Sequence, residues 1–132
     1  MKLEFSNLKL KAISDFLYSL ELTGRFSRAR QKLNKAVVEK LNEFSNDFME
    51  LEHDLSGDEL TKAKLELASE TAVVDVSEYE SIMNHLYASL TDYDKELSGE
   101  DAESYDLILD ELEKYIEEPT EVPENENKGG DE

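Results

Sequence analysis

The sequence predicts a mainly α fold, an antiparallel helical bundle with one long central helix and a small two-stranded β element beside it. Two observations lead there. From Phe26 to Leu55 the residues Leu33, Val37, Leu41, Phe44, Phe48, Leu51 and Leu55 follow at intervals of four, four, three, four, three and four, the near-heptad seam of a long helix packing lengthwise on others. Elsewhere "MKLEF" alternates apolar Leu3 and Phe5 with charged neighbours, and "TAVVDV", Thr71 to Val76, is its natural strand partner.

Taken in order, the first strand is followed between Asn7 and Leu22 by Ile13, Phe16, Leu17 and Leu20, which share one helical face. Thr23 and Gly24 end that helix, and the long seam begins. Leu41 and Phe48, near its middle, are expected in the core. Next, "SGDE", Ser56 to Glu59, has the Ser-x-x-Glu form of a capping box and predicts a short helix over Asp58 to Ala68. The same form recurs at "SEYE", with Ser77 as cap, ahead of Ile82, Leu86 and Leu90. A last helix opens near Ser98 and Gly99, buries Tyr105, Ile108, Leu109, Leu112 and Ile116, and stops at Pro119. At 132 residues the chain is long enough for one core. Residues 1–118 are therefore assigned to a single helical domain. Residues 119–132, "PTEVPENENKGGDE", carry a net charge of −4 and one sizeable aliphatic residue, Val122, and are expected to form a disordered acidic tail.

Charge is unevenly distributed. The formal net charge is −19, yet residues 1–40 hold nine basic against four acidic side chains, and residues 41–132 hold five against 29. Such acidity opposes direct binding of nucleic acid, whose affinity comes from clustered Lys and Arg. No apolar run approaches the roughly 20 residues that cross a bilayer, so no membrane association is expected. Cysteine is absent, which removes disulfides, thiolate catalysis and the softest metal ligands.

Candidate chemistry is sparse. Glu50 and His53 have the Glu-x-x-His spacing of di-iron bundles, but those sites need the pair twice, and Ile82 stands three before His85. An ordinary solvated histidine is the better reading of both. "DYDKELSGEDAE" has alternating acids from Asp92, yet the sixth position of a calcium loop is Leu97, and a frame from Asp94 puts Tyr105 where the bidentate acid belongs. With two histidines, no nucleophile elbow and no glycine-rich phosphate loop, the chain is expected to be no enzyme and to hold no cofactor and no metal.

The segments "LTG..SRAR.K" at Leu22 to Lys32, "D.SEYE" at Asp75 to Glu80 and "YD.ELSG.DA..YD" at Tyr93 to Asp106 resemble an uncharacterised family of small acidic proteins encoded by tailed phages and prophages of Gram-positive bacteria. The resemblance covers most of Asn7 to Tyr115. It implies a phage origin and a small helical fold without a mechanism. Because genes of this kind often lie near tail and lysis modules, it also implies an accessory role in virion assembly.

Two functions are expected to compete. One is a helical interaction protein binding a phage structural protein of the tail or baseplate. The other is an acidic mimic of nucleic acid that occupies a basic host protein, a defence nuclease included. Both place the chain in the host bacterial cytoplasm, the first also in the virion. The candidate partner-binding residues come from "GRFSRARQKLNK", where Arg25, Arg28, Lys32 and Lys35 fall within about 80° on a helix, facing solvent or an acidic partner. Arg30, off that stripe, is expected to pair with acids inside the fold. The long seam serves equally well within one chain or across a homodimer.

Overall fold

A computed structural model describes residues 1–116 of the chain. It contains β1 (Lys2–Ser6), α1 (Leu10–Ser19), α2 (Gly24–Asp54), α3 (Gly57–Ser69), β2 (Thr71–Asp75), α4 (Glu80–Thr91) and α5 (Gly99–Glu113), with short 3-10 turns at Asn7–Lys9 and Ser77–Tyr79. The mainly helical fold with one long helix and a two-stranded antiparallel sheet is the expected one. The acidic tail, 119–132, and the stop at Pro119 lie outside the described residues.

The strands pair as their alternation predicts, with Leu3 opposite Val74 and Phe5 opposite Ala72. These four side chains are buried, while Lys2, Glu4, Val73 and Asp75 point away from the core. An edge strand leaves backbone donors to satisfy. Here the Glu4 N–H donates to Oε1 of Glu111 at 2.8 Å, and Lys114 Nζ holds the other oxygen of that carboxylate at 2.6 Å. Glu111 is thus a buried acid with partners for both oxygens, which is how a buried charge is tolerated.

Helices cover the sheet's inner face. The core is built from Leu10, Ile13, Phe16 and Leu17 of α1, Ala29, Leu33 and Val37 of α2, Met83, Leu86 and Leu90 of α4, and Ile108 and Leu112 of α5. Phe16 meets Tyr105 edge to face at 6.3 Å, and the Tyr105 hydroxyl donates to the Leu90 carbonyl at 2.6 Å. That phenol is pushed above its ordinary pKa, chiefly by burial. The capping expectations are corrected in detail. Ser56 and Ser98 stand at the N-caps of α3 and α5 without a side-chain cap bond. Ser77 opens a 3-10 turn instead of α4, and its N–H and hydroxyl both donate to Asp75, at 3.0 and 2.5 Å. Those two bonds hold the Asp75 carboxyl below its usual range.

The expected seam holds for only half of α2. Leu33 and Val37 are fully buried, but Leu41, Phe44, Phe48, Leu51 and Leu55 are half-buried. The reason is length: 31 residues rise about 46 Å, and beyond Leu41 the helix has outrun the body. Among the described residues its lengthwise companion there is α3, which contains no fully buried residue. The two form a projecting helical hairpin. Gly57, at φ +59°, makes the reversal between them in a conformation that side chains with a Cβ disfavour. The returning end is tied down by Asn7, whose side-chain N–H donates to the Leu67 carbonyl and whose backbone N–H donates to the Glu70 carbonyl, both at 2.9 Å. Carbonyls that a helix end would leave open are thereby satisfied.

Arg30 departs from expectation as well. It meets no acid. Its Nη1 donates to the carbonyls of Leu17, Tyr18 and Leu20 at 2.9, 3.2 and 3.0 Å, and Nη2 donates to the Ser27 hydroxyl at 2.9 Å. These acceptors sit at the C-terminal end of α1, where backbone carbonyls lack helical donors and the helix dipole favours a cation. One guanidinium from α2 therefore closes α1 and fixes the angle of the chain between them.

Two stability results are expected from urea unfolding. Leu33→Ala should cost about 2 to 5 kcal/mol, as for a fully buried leucine, whereas Phe48→Ala should cost only about 1 to 2 kcal/mol because its ring is only partly enclosed; equal losses would contradict the projecting hairpin. Arg30→Met should cost about 1.5 to 3 kcal/mol, and Arg30→Lys should recover little of it, since an ammonium lacks the fork that spans both the carbonyls of α1 and the Ser27 hydroxyl. Full rescue by lysine would show that charge alone closes α1.

Candidate protein-binding surfaces

The projecting hairpin has two unlike flanks. Its seam is closed by Phe44 and Phe48, whose rings lie edge to face 5.7 Å apart, and by Lys64, whose Nζ stands 4.8 Å from the Phe48 ring centroid and 2.9 Å from Glu52. On one flank Phe44, Phe48, Met49, Leu65, Ala68 and Leu8 line a groove of about 650 Å³. Leu8, Met49 and Leu65 are 65%, 62% and 68% exposed. Large aliphatic side chains left this open and contiguous are unusual on a monomer. On the other flank Leu51, Ala63 and Leu67 are ringed by Asp47, Glu50, Asp54, Glu66 and Glu70.

Helical spacing explains the segregation. The groove takes positions just to one side of the α2 seam, including Ser45 and Met49, and the acids take the other. Sequence reasoning found the seam and missed the groove. Met49 and Leu65 lie off the seam positions, and an apolar residue outside the face needed for packing was the available signal.

The expected partner-binding residues lie along the body half of α2. Arg25, Arg28 and Lys35 are exposed, and Lys32 is half-buried with its Nζ 5.0 Å from the Tyr79 ring centroid. The Arg25 guanidinium lies 5.2 Å from the Phe26 ring centroid. Among the described residues no carboxylate of the chain forms an ion pair with any of the four. At about 100° per residue, Glu39, Glu43, Asp47, Glu50 and Asp54 continue the same stripe, and all nine charged residues fall within about 120°. The groove and the basic residues thus do not converge on one site.

The histidines do not build a centre. His53 is exposed with Nδ1 3.1 Å from Asp54, and His85 rests edge to face on Phe26 at 6.2 Å. Among the described residues no three His, Asp or Glu side chains gather as a metal-ligand group, and no helix is long and apolar enough to cross a membrane. The lysines whose pKa values rise, Lys95 through its bond to Glu21 and Lys114 through its bond to Glu111, are remote from the groove. No protein-family model matches the chain, and no match to it was found among curated proteins or solved structures.

Proposed function

We propose that the protein is a non-enzymatic helical interaction protein whose projecting hairpin takes up the apolar face of a helix from a protein partner. The groove beside Phe48, Met49 and Leu65 carries this reading. A helix laid in such a groove places apolar anchors at i, i+3 or i+4 and i+7, the common helix-in-groove mode. Charge selects the occupant further. Residues 41–70 hold nine acids against Lys62 and Lys64, a net −7, so the fitting helix is amphipathic with basic residues on its polar side. The resemblance to phage-encoded acidic proteins supplies the setting, in which the partner is a structural protein of the tail or baseplate and the chain is accessory to its assembly.

The file of carboxylates from Glu39 to Asp54 favours a second reading, imitation of a nucleic-acid backbone toward a basic host protein. The apolar groove has no use in that reading. The two part on salt, since contacts between exposed charges are largely screened at about 1 M, where the Debye length is about 3 Å, while apolar contacts persist.

A double variant, Met49→Asp with Leu65→Asp, should melt like the parent because both side chains are already largely exposed. In pull-downs from infected cells at about 1 M salt, the parent should retain a phage structural protein that this variant loses. Retention of basic host proteins at low salt alone, equal for parent and variant, would replace groove binding with mimicry.

A further inference from the structure

The charged stripe on α2 changes sign once. Arg25, Arg28, Lys32 and Lys35 occupy the body half, and Glu39, Glu43, Asp47, Glu50 and Asp54 the projecting half, on one face of one continuous helix. Of these nine, Lys32 alone is half-buried, and the other eight are exposed. Among the described residues Glu43 pairs with Lys40 at 3.3 Å and Asp54 lies 3.1 Å from Nδ1 of its neighbour His53, and the other seven have no ion-pair partner within the chain. A face of this kind complements itself. A second copy laid parallel would put like charge on like, whereas a copy turned by a two-fold axis puts the basic half of each helix on the acidic half of the other.

We infer that α2 is a pairing surface for a second copy of this chain, in an antiparallel arrangement with the two-fold axis at the level between Val37 and Val38. The spacing supports that register closely. At that level Arg25 stands opposite Glu50, Arg28 opposite Asp47 and Lys32 opposite Glu43, while Lys35 falls within one residue of Glu39. Each pair occurs twice by symmetry. Arg25, Arg28 and Lys32 thus find a partner without a shift along the helix, although the chain as a whole carries −19 and would repel its copy in most other orientations. Exposed ion pairs are individually weak, so the pairing depends on their number and is sensitive to salt. The groove lies on the other flank of α2, with Ser45 and Met49, so this inference stands independently of what the groove holds.

Sedimentation equilibrium of the full chain tests it. At about 0.01 M salt, where the Debye length is about 30 Å, the mass should be twice that of the chain, and it should fall to the chain mass at about 1 M salt. A variant with Arg25→Glu, Arg28→Glu and Lys32→Glu, and another with Glu43→Lys, Asp47→Lys and Glu50→Lys, should each sediment at the chain mass. Their equimolar mixture should recover the doubled mass. Carbodiimide treatment of the unaltered chain adds a test that needs no variant. It should join Lys32 to Glu43, which are separated by about 16 Å of rise on one rigid helix and can be bridged at zero length only between copies. A chain mass at low salt, a doubled mass retained by both variants alone, failure of the mixture to recover it, or absence of the Lys32–Glu43 cross-link from the low-salt protein would overturn the inference.

Discussion

The architecture follows from a mismatch of length. A compact domain of about 100 residues has a radius of gyration of about 13 Å, and a helix of 31 residues rises about 46 Å. No core of this size can cover α2 from end to end. The half containing Leu33 and Val37 is enclosed by α1, α4 and the sheet, and the half containing Phe44, Phe48 and Leu51 runs chiefly beside α3. Groove, acidic flank and projecting shape are all consequences of that excess.

Much of this was legible in the sequence. Period-two alternation at Leu3 and Phe5 marked the first strand, and helical spacing of apolar residues marked α1, α2, α4 and α5, because one-sided burial imposes those repeats, while α3 was marked by the capping-box form of Ser56 to Glu59. What the repeat cannot convey is how many neighbours a face will have. Leu33 and Phe48 occupy equivalent seam positions, yet one is sealed and the other partly open, since spacing records which side is apolar and not what lies across from it. Arg30 was misassigned for a related reason. In a chain with 33 acids a half-buried guanidinium invites an acidic partner, but the acceptors it meets are carbonyls at the end of α1, supplied by the backbone and invisible to composition. The capping serines misled through local competition. Asp75 captured Ser77, turning the expected helix cap into a short turn.

Charge and apolarity are sorted around one helix. Apolar residues on the seam of α2 fasten α3, its Ser45–Met49 flank opens into the groove, and its remaining face carries the sign-changing stripe. Three requirements are thereby met by different sectors of one cylinder, and a change in one sector leaves the others' geometry standing. This separation makes the surfaces accessible to independent substitution, which a compact bundle with every face buried would not allow.

The pairing of β1 with β2 carries a consequence for the order of events during synthesis. β1 emerges before everything that completes it. Its ladder partners, Thr71 to Asp75, follow some 70 residues later, and the carboxylate of Glu111 that receives the Glu4 amide comes later still. The contacts between α2 and α3 close across a turn of a few residues, so loop-closure entropy favours them early. A nascent chain of this protein therefore holds an apolar strand unpaired beside an already formed arm, and Lys2 and Glu4, which alternate with Leu3 and Phe5, keep that waiting strand soluble.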